Sequence, residues 1–411
     1  MRISTAQFYQ TGVNAITGQQ SKLLDVYQQI SSGKRMVSPK DDPLGAAQTI
    51  NTSQAQTLNA RLGENRIAAR QGLTLTETKL SSASDLMHEL QTKIVQAQNE
   101  TLNDSDRQTM SQVVTNLKET LMGIANATDG AGQYLFSGFQ GDRAPFVLDA
   151  AGNAVWQADQ GKRMIQVDNA RQMSSSDDGK QVFSTAADGD RSYFTGSPAT
   201  NTGSATISNA VITNPTGANI GNDFKIDFSG APLDTTVTVY DKTGAVVGAP
   251  VTAPYDTVTG KVTLPGGLDV TVSTGAVPGD SFYVKTVKGE DINVFQTLDK
   301  LAAALKAPVT GNTTTLASLR NTLNESQTKL SANFGSFLTV RSSIGVRINE
   351  LDVLDSAGST KDLGYKGELA RLEDVDMYTA TMELQMRKTN LDAATQAFQI
   401  IQQLSFFNAK A

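Results

Sequence analysis

Apolar positions recur at alternating intervals of three and four near both ends of this chain and at intervals of two in the middle. Helices are therefore predicted outside and strands inside. Tyr9, Val13, Ile16, Gln20, Leu23, Tyr27 and Ile30 fall on one helical stripe, a heptad-like seam weakened by Gln20 and the half-polar Tyr27. Ser31-Ser32-Gly33 and Ser38-Pro39 interrupt it. Asp41-Asp42-Pro43 then opens a second helix, with Asp42 as cap and Pro43 in the first helical position. Its stripe (Leu58, Leu62, Ala69, Leu80, Ala83, Met87, Leu90, Ile94, Ala97) runs to about Asn99. At 1.5 Å per residue that is a rod of roughly 85 Å, which has to pair with other long helices. Ser105 with Gln108 reads as a capping box for a third helix, carrying Met110, Val113, Leu117, Leu121 and Ile124 and ending near Asp129-Gly130. Tyr134-Leu135-Phe136-Ser137-Gly138-Phe139 reads as a strand or hairpin.

Helical periodicity disappears between residues 140 and 290. Val237-Thr238-Val239-Tyr240 alternates and is followed by the turn cluster Asp241-Lys242-Thr243-Gly244. Lys261–Leu264, Asp269–Val272 and Ser281–Val284 read as further strands, and residues 196–220 as a loop between two β subdomains. Helices return with Ile292, Phe295, Leu298, Leu301 and Leu305, stopped by Pro308. A long helix is expected from Asn312 to Leu354, marked by Leu316, Leu319, Leu323, Leu330, Phe337, Ile344, Ile348 and Leu351. After Ser356-Ala357-Gly358 a last stripe carries Leu372, Val375, Met382, Met386, Ala393, Ile400 and Phe407.

The predicted fold class is α+β: an elongated antiparallel long-helix bundle formed by the N- and C-terminal thirds, with an inserted β-rich central domain. The domains expected are an N-terminal assembly helix (1–42), two halves of a helical rod (43–139 and 291–375), the β-rich centre (140–290, open to division into two subdomains) and a C-terminal assembly helix (376–411). The terminal stripes are thin. Ordering each backbone residue costs on the order of 1–2 kcal/mol, and two helices covering only each other offset that poorly. The termini are thus expected to be largely disordered in a lone chain and to fold against neighbouring subunits. Val13, Ile16, Leu23, Tyr27, Ile30, Met382, Met386, Ile400, Leu404 and Phe407 are the candidate intersubunit residues, and Gly33, Pro39, Asp41, Asp42 and Pro43 the helix-start and loop motif.

Composition removes most chemistry. The 411 residues contain no cysteine and one histidine, so thiolate nucleophiles, disulfides and multi-histidine metal sites are out of reach within one chain. His88-Glu89 opens like a zincin motif, but no second histidine follows. Asp177-Asp178-Gly179 and Asp188-Gly189-Asp190 fit no EF-hand loop, and Gly130-Ala131-Gly132 lacks the Lys-Ser/Thr of a phosphate loop. No enzyme activity, cofactor or metal is expected. The net charge of −6 gives no footprint for nucleic acid. No run of 18 apolar residues predicts membrane insertion, and the first residues have no apolar core for a cleavable signal. Asn51-Thr52-Ser53, Asn126-Ala127-Thr128 and Asn324-Glu325-Ser326 match the glycosylation pattern at a frequency expected by chance in a chain rich in Ser and Thr. Trp156 is expected to pack in the β region.

Several segments together carry a family resemblance. Ile30-Ser31-Ser32-Gly33-Lys34-Arg35-Met36 with Ser38-Pro39-Lys40-Asp41-Asp42-Pro43 is similar to the N-terminal signature of the flagellin family. Its Pro-x-Asp-Asp-Pro form is nearer to the hook-associated members than to filament flagellins. Met1-Arg2-Ile3-Ser4-Thr5, Asp104-Ser105-Asp106-Arg107, Ala125 to Gly138, Tyr378 to Leu384 and Leu404-Ser405-Phe406-Phe407 resemble the same members, so the likeness covers about 1–140 and 285–407. It implies a secreted structural subunit of the extracellular bacterial flagellum, synthesised in the cytoplasm, exported unfolded by the type III apparatus and polymerised through its terminal helices at the junction of hook and filament. The implied partners are hook-associated protein 1, flagellin, copies of the chain itself and a flagellar export chaperone on the C-terminal segment. Filament flagellin, or a surface adhesin using the central β domain, are the alternatives.

Overall fold

The computed structural model describes residues 5–99, 101–187, 190–230, 233–287 and 292–408, with side chains in the last helix described to residue 400. Met1–Ser4, Asp188-Gly189 and the side chains of Leu404 and Phe407 lie outside the described set. In chain order the elements are α1 (Thr5–Ser32), α2 (Pro43–Ala97), α3 (Asp104–Ala125), β1 (Phe146–Leu148), β2 (Ala154–Trp156), β3 (Met164–Asp168), β4 (Arg171–Ser174), α4 (Gly179–Phe183), β5 (Tyr193–Gly196), β6 (Val211–Ile212), β7 (Asp223–Ser229), β8 (Asp234–Tyr240), β9 (Val251–Pro254), β10 (Lys261–Leu264), β11 (Leu268–Thr271), β12 (Ser281–Thr286), α5 (Val294–Lys306), α6 (Thr313–Glu373) and α7 (Met377–Asn408). The class is the expected α+β, helical in both terminal thirds with sheets between. The chain forms two compact units, Met1–Glu64 with Val353–Ala411, and Asn65–Asp352.

Helices α2 and α6 run antiparallel. In the first unit the Gln56 amide donates to Asp362 and the Asn59 amide to the Gly358 carbonyl, both at 2.9 Å. In the second unit Arg70 meets Asp352 at 2.8 Å, Arg341 meets Glu77 at 2.7 Å, and the His88 ring stands edge-on to Phe334 at 4.5 Å. From Leu62 onward the predicted α2 stripe is buried, as are Leu330, Phe337, Ile344 and Leu351 of α6. The expected break at Ser356-Ala357-Gly358 does not occur: α6 continues to Glu373, with Gly358 buried and its carbonyl bonded to Asn59. Packing against α2 there outweighs the weak helix propensity of Gly and Ser. The start of α3 also differs. Its cap is Asn103, which accepts from the Asp106 N–H while the Asp106 carboxylate accepts from the Asn103 N–H, two residues before the expected Ser105/Gln108 box. An Asn with an acid three residues on satisfies the same two donors.

The sheets form a sandwich. Five antiparallel strands in the order β5-β12-β7-β8-β9 face three in the order β10-β11-β6, and Phe224, Ile226, Phe282 and Val284 share a core with Val262, Leu264, Leu268 and Val270. The segment 196–220, expected as a loop, contributes β6 and the bridge of Ile207 to Val272, closing the smaller sheet. Tyr134–Phe139, expected as a strand or hairpin, is a run of turns held by isolated bridges at Tyr134 and Ser137, with Leu135 and Phe136 buried. One turn chemistry recurs three times. Asp129, Asp149 and Asp241 each accept from the N–H groups two and four residues on, and Gly132, Gly152 and Gly244 occupy the third position with φ near +80°. An aspartate side chain thus replaces a missing backbone acceptor, and only glycine adopts the left-handed position cheaply.

Rings of Phe136, Phe146, Phe183, Phe295 and Phe337 hold the irregular segments to the helices, with neighbouring centroids 4.8–5.9 Å apart. Trp156 caps the cluster edge-on to Phe146 at 5.2 Å. Polar side chains of α6 complete the attachment. Asn333 donates to the carbonyls of Val182 and Thr185, Ser336 to Gln181, and Arg347 grips the Asp177 carboxylate at 2.7 Å while donating to the Ser174 carbonyl. On the sandwich side, the Tyr283 hydroxyl donates to Glu325 at 2.9 Å and the Lys329 ammonium lies 4.2 Å from the Phe194 ring centre. Burial, then the Glu325 charge, pushes the Tyr283 phenol well above its ordinary value.

Two outcomes follow for stability. Both members of the Arg347–Asp177 pair are nearly out of solvent, with side-chain exposures of 12% and 8%. Arg347→Ala leaves a buried carboxylate uncompensated and is expected to cost about 3–5 kcal/mol in urea unfolding of the second unit, whereas replacing both with apolar residues of similar volume costs less. Asp104 accepts from Arg107 at 2.8 Å and from the N–H groups of Val309 and Thr310, which hold its carboxyl well below the ordinary carboxylate range. A carboxyl depressed by folding takes up its proton later than in the unfolded chain, so its contribution is complete above that range and is lost as pH falls below it. Asp104→Asn is therefore expected to lower the unfolding midpoint at neutral pH, and its difference from the parent chain to shrink below about pH 4.

Candidate functional site

The first unit contains nearly all the sequence-derived candidates, and its packing is sparse. Its buried apolar side chains, among the described residues, are Val26, Leu62, Leu372 and Ala380. By comparison α5, with 13 residues, buries Val294, Phe295, Leu298, Leu301 and Leu305. The terminal segments were expected to be disordered in a lone chain; in the structure both are helical, α1 with 28 residues and α7 with 32. They lie antiparallel, each supplying the other's seam. Tyr9 meets Phe398 at 5.3 Å near one end, and Lys34 bridges to Asp374 at the other. Gly12 is part of this seam, for a Cβ there would stand 2.5 Å from the Phe398 ring.

The helical phase of the two candidate stripes is resolved differently. On α1, Val13, Ile16, Leu23 and Ile30 are half-buried on the α7 side, but Val26 takes the inward position expected for Tyr27, which is 60% exposed. On α7, Met382, Met386 and Ile400 point to solvent, each more than half exposed, and Ala393 is exposed with them. The inward face of α7 is Ala380, Leu384, Leu391, Ala394 and Phe398. A seven-residue count drifts about 20° per heptad on a straight helix, and α7 carries apolar residues on two faces, so periodicity did not single out the face that α1 covers.

The connector between α1 and α2 is built by short-range rules and then clamped by the far end of the chain. Gly33 ends α1 at φ +69°, and its carbonyl accepts from the Val375 N–H at 3.0 Å. The Arg35 N–H donates to the Glu373 carbonyl, its guanidinium donates to the Leu372 carbonyl at 3.0 Å and meets Asp42 at 3.3 Å, and Lys34 pairs with Glu373 at 2.9 Å. Asp41 accepts from the Ser38 N–H, and Pro39 is exposed. Asp42 accepts from the Gly45 N–H and caps α2, which starts at Pro43. That N–H contact, with Arg35 beside it, holds the Asp42 carboxyl below its ordinary value. Gly45 is buried, and a Cβ there would strike the Asp42 carboxylate and the Met36 sulfur, so the close turn needs a glycine. Arg35 and Lys34 were missed as a clasp, since their partners lie more than three hundred positions away.

This geometry has recognisable kin. Residues 3–141 match the bacterial flagellin N-terminal helical region. The flagellar hook-associated protein 3 of Salmonella typhimurium is 28% identical over 407 residues, and that of Escherichia coli 29% over 407, each alignment covering 99% of both chains. The crystal structure of Xanthomonas campestris FlgL matches with a TM-score of 0.66 at 28% identity, covering 78% of this chain and 99% of that one. The chain is thus similar from end to end to hook-associated protein 3 and, over its first third, to the flagellin N-terminal helical region. The flagellar junction protein FlgL from Legionella pneumophila also superposes on this chain, with a TM-score of 0.64 at 25% identity over 80% of it and 100% of the relative. Among the described residues no helix is long and apolar enough to cross a membrane, and no cluster of three His, Cys, Asp or Glu is placed to hold a metal.

The connector makes a specific expectation. Gly33→Ala forces a Cβ into the left-handed region and is expected to cost about 1–2 kcal/mol. Arg35→Ala removes the guanidinium's share of the clasp, its bonds to Leu372 and Asp42, and is expected to raise hydrogen exchange in α1 and α7 while exchange in α3 and α5 stays as it was.

Proposed function

We propose that this chain is a structural subunit of the bacterial flagellum that joins the hook, through hook-associated protein 1, to the flagellin filament. The observation that carries the reading is end-to-end similarity to hook-associated protein 3 combined with an underburied terminal unit. Tyr27, Met382, Met386 and Ile400 lie exposed on a helical pair with few buried anchors, and burying one such side chain contributes about 1.5–3 kcal/mol. Contact with copies of the chain, with hook-associated protein 1 and with flagellin supplies the missing cover, together with Leu404 and Phe407. A flagellar export chaperone holds the C-terminal segment before export, and the chain travels unfolded. The absence of cysteine suits such transit, because no disulfide has to be undone.

Loss of the gene is expected to leave hooks intact while filament protein is released into the medium. Met382→Asp with Met386→Asp is expected to give a chain that is exported, recovered in the medium and missing from isolated flagella, with the melting of its second unit unchanged. Normal filament retention by either strain would refute the reading.

A further inference from the structure

Helix α7 carries two apolar faces, which lie on nearly opposite sides at about 3.6 residues per turn. Ala380, Leu384, Leu391, Ala394 and Phe398 form the inward one, and Met382, Met386, Ala393 and Ile400 the exposed one. Both are aliphatic in the main, so apolar burial by itself does not choose between them. Phe398 is the ring among these side chains, and a ring needs a hole opposite it.

Gly12 of α1 supplies the hole. A Cβ there would stand 2.5 Å from Cδ2 and 2.6 Å from Cε2 of Phe398. Tyr9, about one turn earlier on the same face of α1, flanks the ring with the centroids 5.3 Å apart and the planes tilted by 50°. A glycine inside a helix weakens that helix relative to alanine, and Gly12 lies inside the 28-residue α1. Gly18 of the same helix gives the contrast, since a Cβ there meets nothing within 4 Å. Of the two glycines, Gly12 is the one a neighbour requires. At the other end of the pair the Lys34–Asp374 bridge sets where the chains meet. A bridge at one end leaves the roll of α7 about its own axis to side-chain fit at the other, and the ring in its hole removes that freedom.

We propose that Gly12 and Phe398 act as socket and key that set the rotation of α7 on α1, and so decide which apolar face of α7 is left for other molecules, a proposal that rests on the assembly role given above for the exposed face. The full chain contains no cysteine, so one introduced thiol reports without background. A thiol at Met386→Cys is expected to react with a water-soluble maleimide about fivefold faster or more than one at Leu391→Cys. Gly12→Ala is expected to narrow that difference and to lower hydrogen-exchange protection in α1 and α7 about fivefold, because the seam has to part around the added methyl. Gly18→Ala is expected to raise protection about threefold through helix propensity alone. With Phe398→Ala in place the effect of Gly12→Ala is expected to change sign and raise protection, since the key is gone. Melting of the second unit is expected to stay unchanged in every variant. In cells, Gly12→Ala is expected to lower the amount of chain in isolated flagella, and Gly18→Ala to leave it as it was. Equal reactivity of the two thiols in the parent background, or a Gly12→Ala chain that gains protection as Gly18→Ala does, would overturn the socket and leave the assembly role untouched. A normal complement of Gly12→Ala chain in flagella would overturn its link to assembly, whereas the assembly role itself is tested by the strain with Met382→Asp and Met386→Asp.

Discussion

The second unit depends on one contact, the meeting of phenylalanine rings where irregular chain is pressed onto the long helices. Phe183 touches Phe136, Phe146, Phe295 and Phe337, so a five-residue helix, a turn, a short strand and two longer helices converge on a single side chain. Each of these rings is almost fully buried. Three of these contacts are edge-to-face and the one to Phe295 is stacked, geometries that fix position as well as contributing apolar burial. Short elements such as β1 and α4 could not hold their shape without it, because three to five residues form too few internal hydrogen bonds to offset their own ordering.

Around this apolar centre, α6 acts as a polar rail. Asn321, Asn333, Ser336 and Arg347 are directed at backbone groups of the loop around Ala205–Ile207, of the short helix α4 and of the end of β4. A buried backbone group left unpaired is costly, and a helix side chain is the partner a non-repetitive segment can reach. The same helix therefore carries two registers at once, an apolar one against α2 and a polar one against the insertion.

The first unit lacks such a centre. Its seams consist of half-buried residues, a glycine opposite a ring, and a clasp of Lys34 and Arg35 onto the end of α6. Ion pairs as exposed as Lys34 with Glu373 contribute little in water. What the clasp supplies is geometry, since it sets where two chain ends meet. The terminal helical pair thus joins sparse burial to a connector fixed at both ends.

The class of the fold was legible in the residues themselves, because strong periodicity over dozens of positions in α2 and α6 can be satisfied only by long paired helices, and alternation in β8 and β12 only by sheets. The loop motif was legible for a similar reason: Gly33, Asp42 and Pro43 obey rules that act within four residues. Residues set by distant contacts escaped it. Val26 in place of Tyr27, the outward turn of Met382 and Met386, and the passage of α6 through Gly358 all depend on which surface lies opposite. Sequence determined how each segment repeats, because repetition is a property of neighbours along the chain. Tertiary structure alone decided which face of each helix is hidden, because burial is a property of neighbours in space.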